Sequence, residues 1–124
     1  TSTTSLTGVM MGLAASITPL RKGRVLITIT GDIETSGNGN GGALQIRTGT
    51  GAAPANGVAA TGTAQGSIVN YRNPANNIIR VPFSTSAVVS GLTLGTAVWI
   101  DLGLAAVIGG TAAVRNVSIS AVEL

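Results

Sequence analysis

The sequence predicts an all-β chain, folded as an antiparallel β-sandwich or jelly roll of seven or eight short strands. Three observations carry that expectation. Apolar and polar residues alternate with period two in the clearest segments, as a strand with one buried face requires. Gly and Pro punctuate the chain at short intervals, at Pro19, Gly23, Gly49, Pro74, Gly91, Gly95 and Gly109-Gly110. No segment carries a 3.6-residue apolar period bounded by caps. Many short strands with frequent turn signals read as a sandwich.

The elements follow in chain order. Residues 8–18 can be extended. Arg24–Thr30 is the best strand, with Val25, Ile27 and Ile29 on one face and Thr28 and Thr30 on the other. Gly31 is expected to end it. A Gly-rich region spans residues 35–66 and contains SGNGNGG and GTGAAPANGVAATGTAQG, where glycine supplies positive φ. A single strand, Ala43–Thr48, is expected to interrupt it. Loops of this length are functional or disordered. This one is expected to reach toward a neighbouring subunit and to be ordered only in an assembly. Weaker strands are Ser67–Arg72, Ile78–Phe83 and Ala87–Leu92. Ala97–Leu104 repeats the alternation, with Val98, Ile100, Leu102 and Leu104 on one face and Trp99 and Asp101 on the other. Leu102–Val107 is short and flanked by glycines, so it reads as strand end and loop. Near the C-terminus Val117, Ile119 and Ala121 share a face opposite Ser118 and Ser120. Val122 and Leu124 fall out of that phase, so a bulge or a two-sided contact is expected there.

The length of 124 residues suits one domain, residues 1–124, with one modest core. Hydrophobic residues make up 44% of the chain and charged residues only 9%, the reverse of what disorder needs. So few charges leave Thr, Ser, Asn and Gly to solvate the surface, which suggests that other subunits cover part of it. A net charge of +3 without a large Lys/Arg cluster argues against nucleic acid. No stretch is apolar enough to span a membrane; Val81–Ile100 is broken by Pro82, Gly91, Gly95 and several hydroxyl residues. The N-terminal segment lacks the basic region of a signal peptide, and a start at Thr1 fits a processed end.

The chemistry is sparse. With no His and no Cys, His- or Cys-based catalysis and the common zinc sites are excluded, and no cofactor is expected. The four acids are Asp32, Glu34, Asp101 and Glu123. A glycosidase would need two of them flanking one bond, and only Asp32 with Asp101 is conceivable. Asp32 and Glu34 share a strand face beside glycines, where calcium is conceivable but short of oxygen ligands. The glycines at 37, 39, 41 and 42 mimic a phosphate cradle, but no helix follows, so a flexible loop is expected. Arg21, Lys22 and Arg24 form the one basic cluster, either a solvated turn or a contact for an acidic partner. Trp99 suits a core or subunit interface better than a ligand platform, and Val122 and Leu124 join it as possible interface residues. Asn116-Val117-Ser118 matches a glycosylation sequon and is assigned no role.

Several segments taken together resemble small virion proteins of tailed bacteriophages and prophages. They are GVMMGLAASITPLRKGRVLITITGDI, GTGAAPANGVAATGT, FSTSAVVSGLTLGTAVWIDLGL and VRNVSISAVEL. The last two also look like the closing strands of trimeric jelly rolls of the tumour-necrosis-factor-like type. There a turn of the kind Gly91-Leu92-Thr93-Leu94-Gly95-Thr96-Ala97-Val98-Trp99 leads into a core strand. The resemblance implies a homo-oligomer, a trimer by preference, located in the virion at the capsid surface. Its implied role is a capsid decoration (cement) protein, whose partner is the major capsid protein or another virion protein. The alternatives are a tail, baseplate or fibre-tip component and a carbohydrate- or receptor-binding module. The chain lacks heptads and long repeats, so a whole fibre is not expected.

Overall fold

A computed structural model describes residues Thr1–Leu124 and contains strands but no helix. Three short strands open the chain: β1 (Ser2–Thr3), β2 (Val9–Met10) and β3 (Ala15–Ile17). Six long ones follow: β4 (Val25–Thr35), β5 (Gly41–Thr50), β6 (Thr63–Arg72), β7 (Ile79–Val89), β8 (Val98–Val107) and β9 (Ala112–Glu123). They form two antiparallel sheets packed face to face as a β-sandwich. Sheet A has the order β1-β9-β4-β7; sheet B has the order β2-β8-β5-β6, with β3 also paired to β8. The pairs are nested. β5 pairs with β6, β4 with β7, β2 and β3 with β8, and β1 with β9.

The period-two alternation sets which faces meet. Val25, Ile27, Ile29 and Ile33 of β4 point into the sandwich, against Leu44 and Ile46 of β5 and Ile100, Leu102 and Leu104 of β8, all at most 1% exposed. Burial of each such side chain contributes roughly 1.5–3 kcal/mol. The core is thus aliphatic, and Phe83 of β7 is the one buried aromatic in it.

Four expectations need correction. Gly31 does not end β4. The ring of Phe83, its register partner on β7, lies where a Cβ on Gly31 would stand, 2.9 Å from the ring edge. The aromatic therefore fills the gap a glycine leaves in a sheet, and the strand runs on to Thr35. The segments Ile78–Phe83 and Ala87–Leu92 merge into one strand, Ile79–Val89, which stops short of Leu92. Ser84-Thr85-Ser86 keeps the alternation, since Thr85 turns inward between Phe83 and Ala87. Leu102–Val107 also remains strand, because β5 pairs with it as far as Val107. The C-terminal bulge lies earlier than expected. Asn116 and Val117 together oppose Gly31, and Asn116 takes a left-handed φ of 53°. That extra residue keeps Val117, Ile119 and Ala121 facing inward. Val122 and Leu124 are therefore in phase, and sit on the outer face.

The Gly-rich region differs most. Residues 41–50 form a full central strand, because Gly41 and Gly42 lie where Tyr71, Val107 and Ile33 leave no room for a side chain. Residues 51–62 do not reach away. They fold back across the outer face of sheet B and attach to the N-terminal segment. Met10 N–H donates to Val58 O at 2.8 Å, Gly57 N–H to Met10 O at 2.9 Å and Ala60 N–H to Gly8 O at 3.2 Å. These bonds tie the segment to its own chain.

Candidate functional site

Two outer sheet faces are available for function, and they are built differently. The face of sheet B carries Trp99, Asp101 and Arg47, and all three are engaged by the N-terminal segment (the strap) and by the loop that follows β5. Trp99 is 6% exposed. Its indole N–H donates to Thr50 O at 3.3 Å, and its ring is bracketed by Gly49 and Gly62, where a Cβ would overlap it. Arg47 donates to Thr61 O and Gly62 O and so props the loop from below. Asp101, 1% exposed, accepts N–H groups from Gly12 at 2.9 Å, Leu13 at 3.2 Å and Leu102 at 2.8 Å. A buried carboxylate is tolerated when its oxygens are bonded in this way. What remains open is a shallow groove floored by Ala43, Gly103 and Ala105, with Thr7, Arg47 and Ile68 at its rim.

The face of sheet A has no such cover. Its three long strands lie in register, so their outward side chains form cross-strand rows. The first row is Val88, Leu26 and Val122; the second is Ser86, Thr28 and Ser120; the third is Ser84, Thr30 and Ser118. These nine side chains are uncharged, short and exposed or half-exposed. Val88 is 48% and Val122 55% exposed, each one residue from the end of its strand. Leu124 extends the apolar row at one end.

The basic turn before β4 flanks this apolar end, with Arg21 and Lys22 beside Leu124 and the Leu124 N–H bonded to Arg24 O, and the other end of the face is charged as well. Glu34 receives Arg80 on one oxygen, at 2.9 Å, and Arg115 on the other, at 3.0 Å. Hydrogen bonding from Arg80, then from Arg115, holds its carboxyl below the ordinary value of 4.5, against the opposing effect of burial. Asp32 accepts the Asn116 side-chain amide at 2.7 Å. Asp32 and Glu34 do share a face, as expected, but their nearest partners are these cationic and amide groups. Asp32 and Asp101 lie on opposite outer faces and do not meet.

The basic cluster lies in the β3–β4 turn. Arg21, Lys22 and Arg24 are exposed, and none forms an ion pair. The backbone of this turn has a second role that the sequence did not announce. Leu20, Arg21, Lys22 and Gly23 all donate N–H groups to the Glu123 carboxylate, at 3.0, 2.7, 2.8 and 3.4 Å. Bonds from Leu20, Lys22 and Arg21 lower its pKa to about 2. The partners lie about a hundred residues apart, so no local signal could have paired them. The Arg80–Glu34–Arg115 cluster was missed for the same reason.

Of the expected interface residues, Val122 and Leu124 stand on the open face of sheet A, whereas Trp99 is enclosed by its own chain. No protein-family model matches the sequence, and no curated protein matches it.

Proposed function

We propose that the chain is a non-catalytic structural subunit of a virion, foremost a capsid decoration protein, built as a jelly roll and working as a homo-oligomer, with a trimer favoured. The nested strand pairing supports the jelly-roll reading, since that fold is one long hairpin rolled into two sheets. The observation that carries the structural role is the commitment of every carboxylate. Glu34 is held by two guanidinium groups, Glu123 by a backbone turn, Asp101 by buried N–H groups and Asp32 by an amide. A general acid or base must be free to exchange its proton with a substrate, and must converge with a second group on one cleft. Here the four are dispersed and spent on holding segments together. What the surface does offer is a broad uncharged sheet face, suited to contact with protein. Many copies of a modest contact reinforce one another on a repeating shell, so a clamp of this kind needs no high single-site affinity.

The test is co-sedimentation with empty capsids of the particle that encodes the chain. Saturable binding in a fixed ratio to the major capsid protein is the expected result. Absence from the capsid together with binding to tail structures or to a glycan array would replace the decoration role.

A further inference from the structure

We infer that the end of the sandwich carrying the β3–β4 turn docks an acidic, leucine-bearing segment of a different protein. This rests on the structural reading above and names its contact surface and the chemistry of the partner. Three features point to that occupant.

The first is that the cations at this end are left free. Glu123 is the acid beside them, and four backbone N–H groups of the turn hold it in place of a side chain. Arg21, Lys22 and Arg24 therefore stay exposed and outside any ion pair. The same four bonds fix the backbone of the turn, so less freedom is lost when a partner engages it. Three cations beside one acidic side chain give this end a positive field that steers an acidic partner.

The second is the apolar surface around those cations. Gly95 N–H donates to Pro19 O and Leu92 N–H to Gly23 O, so the β7–β8 loop lies against the turn. Leu124 N–H donates to Arg24 O, and Val88 and Val122 lie one residue from the ends of their strands here. Leu20, Val88, Leu94, Val122 and Leu124 are thus gathered at one end of the molecule, each 44% to 71% exposed. They are five of the ten exposed large hydrophobic residues of the chain. Apolar side chains scattered singly need no partner, whereas such a concentration marks a contact.

The third is what the chain itself lacks. A partner for this end must present free carboxylates beside apolar side chains. All four acids of the chain are already bonded: Glu34 to two guanidinium groups, Glu123 to the turn, Asp101 to buried N–H groups and Asp32 to an amide. A second copy offers no acidic surface, and its own basic end would repel this one. Nucleic acid would leave the leucines uncovered, and no exposed aromatic stands here to stack on a base. A lipid surface deep enough to cover Val88 and Val122 would also press on Ser86 and Ser120 in the next row, whose hydroxyls find no partner in hydrocarbon. A protein segment can bond them.

Titration of the isotope-labelled protein with a soluble peptide of glutamates interspersed with leucines tests this by amide chemical shifts. A peptide with lysine in place of glutamate, phosphatidylglycerol vesicles and a duplex oligonucleotide are the competing probes, and far-UV circular dichroism checks folding. Saturable binding of the acidic peptide is expected, with shifts at residues 20–24, 92–95 and 122–124. Raising the salt from about 50 to about 500 mM should weaken it about tenfold. Arg21→Gln combined with Lys22→Gln keeps the N–H groups that hold Glu123 and should also weaken it about tenfold. Leu20→Ser should weaken it about threefold. Arg72→Gln, exposed at the opposite end, should change nothing. If the double variant misfolds, Arg24→Gln decides, with a loss of about threefold expected. No binding of the acidic peptide, shifts confined to other surfaces, undiminished binding in the folded variants, or tighter binding of the lysine peptide, vesicles or oligonucleotide overturns the inference. Empty capsids separate it from the decoration role. Capsid binding that survives in the folded double variant overturns this surface and leaves that role standing. Peptide binding at this end by a wild type that ignores capsids supports the surface and removes the role.

Discussion

The two outer faces of this sandwich solve the same problem in opposite ways. Each sheet has one side in the core and one side left over. On sheet B the remaining side is closed by the chain itself, through the N-terminal strap and residues 51–62. On sheet A it is left bare, with an apolar row and two hydroxyl rows. The difference shows in the residues used. Under the cover sit the large or charged groups, Trp99, Arg47 and Asp101, each satisfied by a backbone atom. On the bare face every central side chain is small or uncharged. A surface meant only for solvent would carry charge, which is inexpensive to expose and suppresses association. Sheet A leaves its outer face open, whereas the outer layer of sheet B is tied down by its own chain.

That contrast implies a ranking of mutational effects. Removing the indole beneath the loop should be the most damaging change. Trp99→Ala is expected to cost about 3–5 kcal/mol in denaturant unfolding. It should also expose residues 51–62 to proteases that leave the wild type intact. Asp101→Ala comes next. It strands the Gly12 and Leu13 N–H groups, and a loss of about 1–3 kcal/mol is expected. If Trp99→Ala instead proved neutral, the covered layer would be decoration rather than structure. At the far end of the scale, Thr28→Arg on the bare face should change monomer stability by no more than about 0.5 kcal/mol.

Between these extremes lies the C-terminal latch. Glu123 has a lowered pKa in the fold, about 2 against 4.5. Its contribution is therefore present above pH 4.5 and is lost as pH falls through about 2. Glu34, lowered by its two arginines, acts in the same direction. Melting temperatures measured between pH 6 and 2 should fall less steeply for Glu123→Gln than for the wild type. Equal slopes would mean that the turn does not hold the carboxylate in solution.

Local pattern made much of the fold legible and little of the surface. Alternation in residues 24–30 and 98–104 identified the core of β4 and β8, because burial on one face leaves a period-two trace. It failed at Gly31 and at Ser84-Thr85-Ser86. There, residues that read as breaks are carried through the strand by neighbours such as Phe83, which only the pairing reveals. The glycines of residues 41–62 read as freedom, yet several are glycine because another group occupies the space, as Trp99 does at Gly49 and Gly62. Thr28 and Ser120 were each visible as outward residues. That they stand in one row with Ser86 is a fact of topology, joining segments far apart in sequence. The Glu123 latch and the Arg80–Glu34–Arg115 cluster are long-range in the same sense.

The central claim, one face partly covered by its own chain and the other left open, is tested most directly by hydroxyl-radical footprinting of dilute protein and of the assembled form. The account predicts that Trp99 is protected in both. Leu26, Val88 and Val122 should be labelled in the dilute protein and shielded on assembly. Rapid labelling of Trp99 in the folded dilute protein, or unchanged labelling of Leu26, Val88 and Val122 on assembly, would contradict it.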